Sequence, residues 1–146
     1  MKRARRCFIG LLGAGLLISC GSRSNTADSS DVARRSTQQR LQGRWVLVDF
    51  RPEEQLEPML AALLAAQFNT LTVTVGPAHL HAIGAGVDTQ RRYQLQWATG
   101  DQAGLKVLDE SGISYDVAMT FERDGTLSFS SRTSPWRGVG RLRRVQ

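Results

Sequence analysis

"GISYDVAMTFERDGTLSFSS", residues 112 to 131, decides how this chain folds. Ile113, Tyr115, Val117, Met119 and Phe121 alternate with small or polar residues, and Leu127 and Phe129 resume the alternation after "ERDGT". A period of two is the mark of antiparallel strands with one buried face. The turn between the two runs tests the reading. A two-residue Asp124-Gly125 turn would oppose Phe121 to Ser128 and send the apolar faces apart. A three-residue loop, Arg123-Asp124-Gly125, pairs Phe121 with Leu127 and Met119 with Phe129. It also places Gly125 where such loops need a left-handed residue. Upstream, a Glu110-Ser111-Gly112 loop pairs Val107 with Tyr115 and Leu105 with Val117. Register, glycine position and burial agree at both hairpins.

The same alternation extends in both directions. "TLTVTV" sets Leu71, Val73 and Val75 against threonines, and "RYQLQW" sets Tyr93, Leu95 and Trp97 against Arg92, Gln94 and Gln96. Strands are expected over 44–50, 69–75, 78–83, 90–97, 104–109, 113–122, 126–131 and 138–145. One segment breaks the pattern. In "RPEEQLEPMLAALLAAQF", Leu56, Met59, Leu60, Leu63, Leu64 and Phe68 follow helical spacing. Glu53, Glu54 and Glu57 precede the apolar part, where the helix dipole favours negative charge, and Pro58 should begin the regular helix or kink it. This helix either packs across an end or side of the sheet, or forms a lid over a cavity or a surface resting on lipid. The expected fold is mainly β: a small antiparallel up-and-down barrel of about eight strands, with one helix inserted after the first.

Trp45, in "LQGRWVLVDF", heads a bulky inward set with Leu47, Tyr93, Leu95, Trp97, Tyr115, Met119, Phe121 and Phe129. Small barrels are often filled by their own side chains, and each buried aromatic removes about 150–250 Å² from water. Trp45 therefore reads as a structural plug. The alternative is a void lined by Trp45, Tyr93, Trp97, Tyr115, Met119, Phe121 and Phe129, with Leu60 and Leu64 from the helix above it.

On these residues the chain resembles the lipocalin and fatty-acid-binding group of small up-and-down barrels over about residues 41 to 146. Gly43-Arg44-Trp45 matches the Gly-x-Trp that opens their first strand. In lipocalins an arginine late in the final strand packs over that tryptophan. Arg141, Arg143 and Arg144 are candidates, and Arg143 is taken here with Gly43 and Trp45 as the barrel closure. A helix after the first strand is closer to the fatty-acid-binding layout. The resemblance implies binding of small apolar molecules.

The first residues carry a different message. "MKRARR" is a basic start, and "CFIGLLGAGLLIS" is an apolar run of about a dozen residues, the length of a signal-peptide core and short for a membrane span. It ends in Leu17-Ile18-Ser19-Cys20, which resembles the bacterial lipobox. On that resemblance residues 1–19 are removed, Cys20 is lipidated, and the membrane is a partner through that lipid. Several acyl chains at one point hold a protein firmly where one does not. Gly21 after the cysteine favours the outer membrane by analogy with enteric bacteria. The expected location is the cell envelope, facing the periplasm. Residues 20–40, Ser-, Asp- and Arg-rich after the cysteine, are expected to be a flexible tether, because they bury too little apolar surface to offset ordering entropy.

Loss of Lys2, Arg3, Arg5 and Arg6 leaves 15 basic against 13 acidic residues, so the net charge falls from +6 to +2. Nucleic acid is not expected as a partner, since it wants a concentrated basic face. Arg34-Arg35, Arg91-Arg92 and the arginines at 141, 143 and 144 read as solvated surface. With Cys7 removed and Cys20 lipidated, no thiol remains for a disulfide or a nucleophile. His79 and His81 share a strand face, and Asp88 is a conceivable third ligand, but no metal site is assigned. A two-residue Gly76-Pro77 turn sends both histidines outward, and a three-residue loop sends them inward. No nucleophile elbow, zinc-protease motif or phosphate loop is present. Trp136 either packs beneath the last loop or offers a contact to a partner. The expectation is a monomeric, non-enzymatic protein without cofactor. It binds a small apolar ligand or, with a solid core, docks another envelope protein.

Overall fold

The computed structural model describes residues 26–133 and 137–146. Eight antiparallel strands close into a barrel in sequence order. They are β1 (Gly43–Pro52), β2 (Thr72–Val75), β3 (His79–Gly84), β4 (Val87–Thr99), β5 (Gln102–Leu108), β6 (Ser114–Phe121), β7 (Thr126–Ser131) and β8 (Gly138–Arg144). Helix α1 (Thr26–Leu41) precedes β1, and α2 (Pro58–Ala66) lies between β1 and β2. Closure of β1 onto β8 pairs every strand on both sides, so no edge is left to template aggregation.

Both hairpins take the register that the alternation demands. Phe121 faces Leu127 and Met119 faces Phe129 across β6 and β7. Val107 faces Tyr115 and Leu105 faces Val117 across β5 and β6. The loops close through Glu122 N–H to Thr126 O and Asp109 N–H to Ile113 O, both 2.9 Å, around left-handed Gly125 and Gly112. Between β2 and β3 the turn is longer than either expectation. Val75 pairs with Leu80, which leaves four residues in the loop and turns His79 and His81 outward.

The interior is filled unevenly. At the end where β1 begins, Leu41, Trp45, Leu95, Ala103, Leu105 and Leu127 form a close-packed floor, with Leu41 and Leu127 wholly buried. Toward the other end, where α2 and the β3–β4 and β5–β6 turns lie, the barrel is hollow.

Two expectations need correction. The tether assigned to residues 20–40 does not describe α1, which is regular helix from Thr26 onward. Its sequence has almost no apolar stripe, and polar bonds fix it beneath the floor. Arg34 donates to Leu95 O at 2.6 Å, Gln38 to Tyr93 Oη at 2.7 Å and to Pro77 O at 2.5 Å, and Arg40 to Gly100 O at 3.1 Å. Arg40 also pairs with Asp101 at 3.1 Å and lies 4.0 Å over the Phe121 ring. The second correction is Trp97, expected inward and found 45% exposed. β4 bulges between Leu95 and Trp97, so one extra residue reverses the side on which later residues project. Ala98 takes the inward place opposite Ala103, and Trp97 lies outside, across Gly104. A Cβ at position 104 would meet the indole nitrogen at 2.1 Å, so only glycine leaves room for the ring.

Pro58 stands in the first turn of α2, where its missing N–H costs nothing. No residue of α2 is buried. Met59, Leu60 and Leu63 face solvent, and only Leu64 with the following Phe68 touches the core. Among the described residues no helix is long and apolar enough to cross a membrane.

Candidate functional site

The Gly-x-Trp of β1 builds the closed end. Trp45 is 2% exposed, and its indole N–H donates to Leu41 O at 2.8 Å. Arg144, opposite Trp45 in the β1–β8 ladder, sets its guanidinium 5.1 Å above the indole. The same guanidinium donates to Arg40 O at 3.2 Å and to Gln42 O. The last carbonyls of a helix lack intrahelical partners. Trp45 and Arg144 supply those partners for α1. Gly43 lies at φ +133°, where a side chain is strained, and a Cβ there would press on Arg144 Nη2 at 3.1 Å. The arginine expected in this role was Arg143. Strand alternation excludes it: Leu142 points inward, so Arg144 shares its face and exposed Arg143 does not.

Above this floor lies a cavity of about 440 Å³. Leu47, Phe50, Leu71, Val73, Leu80, Ala82 and Leu142 line it from β1 to β3 and β8, and Val107, Val117, Met119 and Phe129 from β5 to β7. The Phe50 and Phe129 rings lie nearly parallel, 6.1 Å apart. Polar groups are few: Thr89, Arg91, Tyr115, Ser131 and Thr133. No carboxylate is among the lining residues. A concave, mostly apolar space of about 300–1,000 Å³ with a few polar groups is the usual form of a small-molecule site.

The polar groups at the upper rim are tuned by their neighbours. Asp109 accepts from Ser111 Oγ at 2.6 Å, from the Ile113 N–H at 2.9 Å and from Tyr115 Oη at 3.0 Å. These bonds, the Ser111 hydroxyl first, hold its carboxyl below the ordinary carboxylate range. The Tyr115 hydroxyl is raised, chiefly by its bond to Asp109, with desolvation and the Asp109 charge adding and the Arg91 cation opposing. At the floor, Tyr93 donates to Gly76 O at 2.7 Å and receives Gln38. Burial raises its hydroxyl and the Gln38 bond partly offsets that.

Of the residues proposed for a ligand cavity, Tyr115, Met119 and Phe129 line this one. Trp45 and Tyr93 are in the packed floor, and Phe121 packs against it. Trp97 is outside the barrel. Neither Leu60 nor Leu64 contributes to the lining: Leu60 is half exposed and Leu64 rests on the core. Cys20 and Trp136 fall outside the described residues. His81 and Asp88 form an exposed pair at 2.7 Å, and no cluster of three metal-ligating side chains occurs among the described residues. Sequence reasoning missed Arg91, which it assigned to solvated surface. The signal was present, because Arg91 lies two and four residues before inward Tyr93 and Leu95. The sequence matches no known family model and no curated protein.

Proposed function

We propose that this barrel binds a small apolar molecule in its interior, without chemical turnover, as a lipid-anchored protein of the cell envelope. The observation that carries the binding reading is the apolar void above a closed floor. A barrel that needed only stability would gain from filling that space, since each unfilled cavity forfeits packing energy. The basic start, apolar run and Cys20 support the anchor, and Gly21 supports the outer membrane facing the periplasm. The net charge of +2 left once residues 1–19 are removed argues against nucleic acid as a partner. A second reading is docking of another envelope protein by the monomer, favoured by the exposed apolar side chains of α2.

Mass spectrometry of organic extracts of the purified protein separates the two. A reproducible co-purified apolar compound, displaced by an apolar dye that brightens on binding, supports the cavity. Empty extracts together with a silent dye turn the reading to docking. For the anchor, Cys20→Ser should abolish incorporation of labelled fatty acid. Continued labelling of that variant refutes the lipobox assignment.

A further inference from the structure

A concave space also lies outside the barrel, where α1 packs on β4. It is an open groove of about 640 Å³, with Arg34, Arg35 and Gln38 on the helix side and Gln94, Leu95 and Gln96 on the strand side. No carboxylate is among its lining residues. Arg34 is held by the bond from its Nη2 to Leu95 O, and Arg35 by the bond from its Nε to Asp31 O, one turn back in the helix. Neither pairs with an acid among the described residues. A guanidinium carries five N–H donors, so most of theirs stay open to a ligand. Gln38 uses its amide nitrogen on Pro77 O and Tyr93 Oη, which leaves its carbonyl oxygen, and Gln94 and Gln96 are exposed. The bulge after Leu95 shapes this place twice. It lies at the carbonyl that holds Arg34, and it turns Trp97, next after Gln96, onto the outer face. The indole is seated over Gly104, where three of its atoms would come within 2.8 Å of a Cβ, yet the residue stays 45% exposed.

We propose that this groove and the indole beside it bind an acidic sugar, a pyranose carrying one carboxylate or phosphate group. The anion meets the Arg34 and Arg35 guanidiniums, whose planar forks suit either oxyanion. The sugar hydroxyls exchange hydrogen bonds with Gln38, Gln94 and Gln96, because an amide side chain both donates and accepts. The C–H face of the sugar ring lies on Trp97, since the face of an indole is electron-rich and sugar C–H groups are weakly positive. An apolar ligand would leave the amides and guanidiniums unmatched, and a bare anion would leave Trp97 unused. The site does not depend on the interior void, so it stands whether or not the barrel holds a ligand.

Glucuronate, glucose 6-phosphate, glucose and inorganic phosphate test the assignment, each titrated into the purified protein and followed by the indole N–H signals in proton–nitrogen correlation spectra. Both sugar acids should bind at least about tenfold more tightly than glucose, the scale of one charge-assisted hydrogen bond. Glucose 6-phosphate should bind at least about threefold more tightly than inorganic phosphate, the scale of one aromatic contact. Arg35→Gln, at an exposed helix position, should weaken both acids by at least about threefold and leave glucose within about twofold. Trp97→Ala should weaken both acids by at least about threefold while their advantage over glucose persists. Circular dichroism checks the fold of both variants. In the wild-type protein, glucose binding as tightly as the acids overturns the proposal, and so does inorganic phosphate binding as tightly as glucose 6-phosphate. Absence of binding by both acids, or acid affinities that neither variant changes, overturns it as well.

Discussion

Arg144→Ala takes a cation from the face of Trp45 and the donors to Arg40 O, in the last turn of α1, and to Gln42 O just beyond it. An exposed cation–π contact contributes about 0.5–1 kcal/mol, and a charged donor to a helix end adds to it. Urea unfolding of Arg144→Ala should show a loss of about 1–2 kcal/mol. Arg143→Ala, one residue earlier on the outward face, should cost less than about 0.5 kcal/mol. The contrast shows where single-residue reading of the sequence fails. Trp45 is identifiable as a plug because Gly43 and the alternation after it leave one place for an indole. Arg144 and Arg91 were both recoverable by counting parity along β8 and β4, but clusters of arginine suggest surface and obscure the count. Trp97 was not recoverable from its own strand. Its direction depends on the bulge between Leu95 and Trp97, and Gly104, across from the ring, is a trace of it in the sequence.

Among the elements, α1 and α2 invert the usual relation between composition and burial. The polar helix is the one that packs, and the apolar helix is the one that faces water. Hydrophobic periodicity detects helices that bury a stripe, whereas α1 is held mostly by side-chain donors reaching carbonyls 39 to 61 residues away in sequence. Such bonds leave no periodic trace. Leu41, fully buried as is Thr37, meets the floor beneath Trp45. Leu41→Ala should cost about 2–4 kcal/mol by equilibrium denaturation, from lost transfer energy and the cavity left behind. On α2 the outcome depends on position. Lysine at both 60 and 63 should leave the unfolding free energy within about 0.5 kcal/mol of the parent. Leu64→Lys, which forces a charge onto the core, should lower it by at least about 1 kcal/mol.

At the scale of the whole molecule, eight strands and their order were legible because the two hairpins on either side of β6 satisfied register and burial together and the alternation continued through the flanking segments. The void was not, since alternation says which side chains point inward and nothing about whether they fill the space. Acid stability is also set by the assembled hairpins. Asp109 and Asp124 are both held below the ordinary carboxylate range, Asp109 first by the Ser111 hydroxyl and Asp124 first by the Thr126 hydroxyl. A carboxyl with a depressed folded-state pKa stabilises the fold above its unfolded pKa. That contribution disappears as pH falls through the folded value. Stability should therefore decline below about pH 4, and the double variant Asp109→Asn, Asp124→Asn should decline less steeply over the same range when unfolding is followed by circular dichroism. A hollow upper half above a dense base has one more outcome, read in volume instead of energy. Unfolding abolishes the empty space, so compression favours the unfolded chain. High-pressure fluorescence should find the unliganded barrel giving way at lower pressure than the same barrel with its interior occupied, because an occupant leaves less space to collapse.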